Sequence, residues 1–163
     1  MKTNKKTDKV LIGRVEEVDF TELELFGVHA KIDTGAYTTA LHCQDIYESR
    51  ENGVKVLYFK PLDKEHPLYT EQEIRVQKYA RKKIKNSFGQ IETRFIISTV
   101  IKIGDKEVNT EISLADRANM RYPVLLGRKL LSKGFLIDVN KQLVQKKLKL
   151  KKENKAIQKS KKS

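Results

Sequence analysis

From Ile91 to Ile103 the chain is a long β-branched run, Gly104-Asp105-Lys106 interrupts it, and Val108 to Leu114 then alternates apolar with polar residues. That order dictates an antiparallel pair: side chains stiff at χ1 suit a pleated strand, and the glycine turn is too short for a crossover. The same reading extends over the rest of the chain. Val10 to Asp19, Val28 to Asp33, Thr38 to Tyr47 and Val54 to Phe59 read as strands, and Glu51-Asn52-Gly53 is a hairpin signal before the last of these. Pro61 to Pro67 reads as loop and Asn86-Ser87-Phe88-Gly89 as a turn, while Glu71 to Lys85 fits neither a two-residue nor a 3.6-residue period. Val124 to Leu126 is a short strand, Arg128 to Ser132 one or two helical turns, and Gly134 to Asp138 a final strand. Short strands in this number predict an all-β closed barrel with one short C-terminal helix.

Length and charge bound what such a barrel serves. At 163 residues the chain suits one domain, divided by composition into a basic lead (1–9), a barrel domain (10–140) and a Lys-rich tail (141–163). Apolar residues in the tail are too few to offset the entropy of ordering it, so the tail is expected to be disordered. It holds much of the net charge of +13, as nine lysines from Lys146 onward against Glu153. A second basic run, Arg75, Lys78, Arg81, Lys82, Lys83 and Lys85, falls inside the barrel domain. No stretch reaches the length of a membrane span, no secretory signal is visible, and the single cysteine, Cys43, precludes an internal disulfide; a cytoplasmic location is the expectation.

The densest chemistry lies in Ile32-Asp33-Thr34-Gly35-Ala36. Val28, Ala30 and Ile32 share one face of the strand that leads into it, and His29, Lys31 and Asp33 the other. Asp33 is a general acid or base, Thr34 a hydroxyl able to hold it, and Gly35 a place for close backbone approach. Far along the chain, Tyr122-Pro123-Val124-Leu125-Leu126-Gly127-Arg128 is an apolar strand ending in glycine before a helical pattern.

These two stretches together, Ala30 to His42 and Asp116 to Arg128, resemble the retropepsin-like aspartic peptidases, and more closely the bacterial branch often labelled "ATP-dependent zinc protease". The resemblance covers roughly residues 10 to 140. It implies an acid-protease barrel and an aspartic endopeptidase with Asp33, Thr34 and Gly35 as its catalytic turn. Aspartic chemistry needs two carboxylates sharing a proton, and no second Asp-Thr-Gly occurs, so the resemblance implies a homodimer with Asp33 beside its symmetry copy.

Ala36, Gly127 and Arg128 match the family's supporting positions. Tyr37 stands where many viral members carry an aspartate to receive that arginine, which leaves Asp116 as the candidate partner of Arg128. The basic segment containing Arg75, Lys78, Arg81 and Lys82 lies where viral members keep a flap, and contact with an acidic peptide substrate is the expectation there. No cofactor is expected. The family label mentions zinc, but His29 and His42 are weak candidate ligands, since no His-Glu-x-x-His or Cys-x-x-Cys occurs. The alternatives to the dimeric peptidase are a barrel that binds peptide without turnover, a nucleic-acid binder acting through its Lys-rich tail, and a zinc-dependent peptidase.

Overall fold

In the computed structural model, which describes residues 8–85, 88–118 and 120–162, short strands carry most of the chain. They are β1 (Val10–Ile12), β2 (Val15–Phe20), β3 (Leu25–Ile32), β4 (Thr39–Glu51), β5 (Val54–Pro61), β6 (Ile74–Val76), β7 (Ala80–Lys85), β8 (Ile91–Ile103), β9 (Lys106–Ala115), β10 (Val124–Leu126) and β11 (Phe135–Ile137). A 3-10 turn, Thr21–Leu23, separates β2 from β3; a short helix, α1 (Arg128–Leu131), follows β10, and a long one, α2 (Val144–Lys161), ends the described chain. None of these helices is long and apolar enough to cross a membrane.

The main sheet runs β10-β3-β2-β8-β9-β4-β5-β6, with β7 hydrogen-bonded to β8, and β10 pairs with β4 as well as with β3. Its mostly-β character follows from the pattern of β-branched runs. Asn52 and Gly53 take positive φ, 51° and 80°, as a two-residue hairpin turn demands, and they set Glu51 opposite Val54. Between Gln44 and Tyr47 the register of β4 slips, with Asp45 at a φ of 51°. The bulge lets one strand serve two neighbours, Thr39 to His42 pairing with β9 and Cys43 to Glu51 with β5. Phe20, Leu41, Leu57, Phe59, Ile101 and Ile112 are fully buried between these layers.

One expectation, the disordered tail, meets a difference, and the segment without a clear period is extended, as the family resemblance favours. The segment from Glu71 to Lys85 contains two strands: β6 lies at the sheet edge on β5, and β7 is one arm of a hairpin with β8. Each has one sheet neighbour, so neither shows a buried-face alternation. The Lys-rich tail, expected to be disordered, contains α2. Its start is capped from elsewhere in the chain: Glu16 on β2 is fully buried, and its carboxylate accepts the N–H groups of Gly13 (2.8 Å), Val144 (3.0 Å) and Gln145 (3.3 Å). A carboxylate on the free N–H groups of a helix start satisfies orphan donors and complements the helix dipole, an arrangement that a composition argument does not contain. The residues of the basic lead up to position 7, and Asn86-Ser87 of the expected turn, lie outside the described residues.

Another polar contact ties the sheet to the loop after β9. His42, buried at the bend of β4, has Nε2 2.6 Å from Asp63 Oδ2, and its Nδ1 accepts the Arg117 N–H at 2.7 Å. Nδ1 as acceptor places the ring proton on Nε2, which therefore donates to Asp63. Burial acts to raise Asp63, but the Glu65 N–H and the His42 ring outweigh it and hold the carboxyl below its usual range.

Two outcomes follow. Glu16→Ala removes the cap on α2, with an expected loss of roughly 1–3 kcal/mol in urea denaturation and a fall in helical circular dichroism. Unchanged helicity would refute the capping role. Asp63→Asn destabilises the fold near neutral pH, because a depressed carboxyl contributes stability above its unfolded pKa and loses it as pH falls through the folded value. The gap between variant and wild type therefore narrows below about pH 4, and a constant gap would contradict the assignment.

Candidate functional site

Asp33 follows the last residue of β3 at the point where β10 runs alongside. Leu126 pairs with Ile32 in parallel register, and the Leu126 carbonyl accepts the Asp33 N–H at 2.9 Å. The turn beyond closes on itself, since Ala36 N–H donates to the Asp33 carbonyl (3.2 Å) and Gly35 N–H to Asp33 Oδ1 (3.0 Å). One carboxylate oxygen is thus held by its own turn. Thr34 and Gly35 are exposed, and Asp33 is half-buried.

Gly127 fixes that turn against the rest of the chain. A Cβ there would stand 2.7 Å from the Tyr37 carbonyl oxygen and 2.8 Å from the Thr38 carbonyl carbon, distances that no side chain tolerates. Its N–H donates to Thr39 Oγ1 at 3.1 Å, and the next two N–H groups, of Arg128 and Lys129, donate to the Ala36 and Tyr37 carbonyls at 2.9 Å each. Arg128 Nη1 donates to the Thr34 carbonyl at 2.9 Å, and its guanidinium lies over the Tyr37 ring, 5.8 Å from the centroid. These contacts correct the expectation for Asp116. Tyr37 provides a ring face where an aspartate was missing, and the turn's own carbonyl receives the arginine. Asp116 instead accepts the Ala118 N–H and lies 3.9 Å from His42 Nδ1.

Asp33 opens onto a cleft of about 1110 Å³. The β7–β8 hairpin forms one wall through Ile84, Lys85, Phe88, Glu92 and Arg94, and the loop after β9 forms another through Asp116, Arg117 and Met120. A smaller cleft of about 330 Å³ adjoins it, lined by Lys31, Asp33, Arg117, Arg121 and Tyr122 among others. Asp33 and Arg117 line both. Arg117 Nε is buried and has no hydrogen-bond partner among the described residues. Burial and the neighbouring Arg94 lower the affinity of this guanidinium for its proton, and Asp33 and Glu92 offset part of that effect. A desolvated cation with an unused donor, beside a second cation, is a place where an anion is stabilised.

Of the basic run, Lys85 reaches the cleft, but the four residues expected to contact substrate lie elsewhere. Arg75 forms an ion pair with Glu51 at 2.6 Å, Arg81 with Glu48 at 3.2 Å and Lys82 with Glu111 at 3.7 Å. None of them lines the cleft, and neither does Lys78, which is exposed. Extended chain alternates its side chains, so a run of like charges over β6 and β7 is divided between faces and neutralised by acids on β4 and β9. Among the missed residues, Arg117 sits inside the second quoted motif, next to Asp116. Lys31 has the signal of sharing the strand face of Asp33. Asp63 carried none, because its link to His42 spans 21 positions.

The donor set does not fit zinc at His42. Its Nε2–H is given to Asp63, and its Nδ1 lone pair is taken by the Arg117 N–H. His29 is exposed on β3, and no group of three or more metal-ligating side chains occurs among the described residues.

Known proteins place this geometry. Over 135 residues the chain is 32% identical to a probable alpha-L-glutamate ligase of Shewanella halifaxensis, and over 134 residues 34% identical to one of Desulfotalea psychrophila; these matches cover 80% of this chain and 29% and 28% of the relatives. The chain thus spans under a third of the length of these curated relatives. A crystal structure of a Legionella pneumophila protein of unknown function, Lpg0085, superposes with a TM-score of 0.66 at 26% identity, covering 83% of this chain and 98% of that one. The ligase names correct the expected function: relatives at this identity are named for forming a glutamyl bond, not for hydrolysing peptides through an aspartate dyad. The expected family stands, with both sets of names describing enzymes, and a family model described as retropepsin-like aspartic endopeptidase RimB matches residues 11–148. The chain belongs to the RimB-like family.

Proposed function

We propose that this chain handles α-glutamyl chains, binding them in the paired clefts over Asp33 as a domain that works alongside glutamate ligation. The observation that carries this reading is Arg117, whose buried Nε is unpartnered where the two clefts meet. A glutamyl side-chain carboxylate supplies the missing acceptor. Lys31 and Arg121 in the smaller cleft and Lys85 in the larger add cations on both sides of Asp33, while Arg94 is paired with Glu92 at 3.2 Å. Asp33 is the carboxylate at the centre of the site, with Thr34 and Gly35 shaping its turn and Ala36, Gly127 and Arg128 bracing it. The names of the ligase relatives support the substrate class. We read the strand path, whose ends meet because β10 pairs with both β3 and β4, as the closed acid-protease barrel that holds this turn.

Binding of a fluorescent oligo-α-glutamate, compared with oligoglutamine of equal length, tests the reading. Glutamate is expected to bind at least about tenfold more tightly at low salt, with the preference shrinking as salt rises. Arg117→Met removes most of the preference. Asp33→Asn retains binding, since it deletes only a like charge. Equal affinity for both peptides would sink the proposal.

His42 enters as a positioning residue, since it holds the Arg117 backbone and lines neither cleft. His42→Ala is expected to weaken oligoglutamate binding several-fold while a fluorophore at the β7–β8 hairpin reports an unchanged wall. Wild-type affinity in a folded His42→Ala protein would show that the loop needs no such support.

A further inference from the structure

Helix α2 carries eight lysines and one acid, Glu153, over 18 residues, and none of its side chains is buried. Lys146 pairs with Glu17 at 2.9 Å and Lys152 with Asp105 at 3.5 Å. The other six make no ion pair among the described residues. Several stand four apart, as in Lys147, Lys151 and Lys155, so they repel one another along one side of the helix. Leu148 projects to the side opposite Leu150 and Ile157 at 100° per residue, which leaves no apolar stripe for a membrane surface or a partner helix.

A second observation points to the same chemistry. Between the first turns of α2 and the body of the protein lies a groove of about 540 Å³ whose lining includes Arg14, Lys141, Lys147 and Lys151, with the amides Asn140 and Gln142 and no acid. Cations that converge on a groove and continue along a helix about 27 Å long form a track for a polyanion. The groove begins beside the strand that carries Asp33, since the Arg14 carbonyl accepts the Ile32 N–H at 3.0 Å, and α2 continues from it to Lys152, which meets Asp105.

We propose that α2 and the Arg14 groove bind the phosphate backbone of nucleic acid, without regard to base sequence. Lysines are point charges on flexible stems, suited to phosphate contact and not to bidentate reading of base edges. The groove offers donors to phosphate oxygens from four cations and two amides, against Val144 and Leu148 as its apolar lining. Neutralising the lysine stripe removes its self-repulsion, so binding also firms the helix.

The test uses the full chain and labelled 20-nucleotide RNA and 20-base-pair DNA of unrelated sequences, followed by anisotropy over a salt series. Binding is expected to depend little on sequence and to fall steeply with salt. In a Lys147→Gln, Lys151→Gln, Lys155→Gln variant, affinity at low salt falls at least about tenfold and the log–log salt slope flattens by two to three, about 0.9 for each charge on duplex DNA. Circular dichroism and urea denaturation serve as the check that the variant is folded. No salt-dependent binding, or an unchanged slope in the variant, would overturn the inference. So would displacement of the oligonucleotide by oligoglutamate at equal charge, which would reassign the track to acidic polypeptides.

Discussion

The close crossing of Gly127 over Tyr37 and Thr38 is the contact on which the site depends. Two segments about ninety positions apart approach until one of them has no room for a Cβ, and the N–H groups of Gly127, Arg128 and Lys129 all find acceptors in the Asp33 turn or beside it. Backbone groups brought together this closely would be costly if unpaired, so packing and hydrogen bonding are satisfied together or not at all. The consequence is a carboxylate whose turn is anchored at Asp33, Ala36 and Tyr37 by one opposing strand and the first turn of α1. Arg128 then acts within the anchor, on Thr34 and Tyr37, and does not project into the cleft as a substrate ligand.

Around this fixed carboxylate, placement of charge matters more than its amount. In the densest run of cations in the folded part, on β6 and β7, Arg75, Arg81 and Lys82 are spent on Glu51, Glu48 and Glu111. Exposed pairs of that kind contribute little stability, but they remove those side chains from ligand binding. Arg117 is different because its backbone is held by His42, its guanidinium is partly desolvated, and its Nε is left unmatched. A cation in that state gains more from an incoming carboxylate than a solvated lysine does, because the cost of removing it from water has been met in folding.

Much of this was legible in the amino-acid sequence, and for identifiable reasons. Hairpin turns and β-branched runs are local signals, so Asn52-Gly53 and the β8–β9 pair were readable without tertiary information. The Asp33 and Gly127 motifs were readable because each is contiguous, although only the structure brings them together. What was missed depends on partners distant in sequence: Asp63 under His42, Glu16 under the start of α2, and the acids that quench Arg75 and Arg81. The chemistry was misread for a related reason. An Asp-Thr-Gly turn specifies how an acid is held and not what the cleft around it accepts, and the residues lining that cleft come from β3, β7, β8 and the loop after β9 as well.

Glu16 links the two halves of the molecule. Its strand, β2, is hydrogen-bonded to β3, which carries Asp33, while its carboxylate holds the first N–H groups of α2. One buried acid thereby orders the start of a helix whose lysines repel one another, and it does so opposite Ala30, three residues before Asp33. The turn and the helix start share β2, since the Arg14 carbonyl accepts the Ile32 N–H at 3.0 Å and the Val15 carbonyl accepts the Leu143 N–H at 2.8 Å. The order that Glu16 imposes on α2 is therefore built on the same strand pairing that holds Asp33.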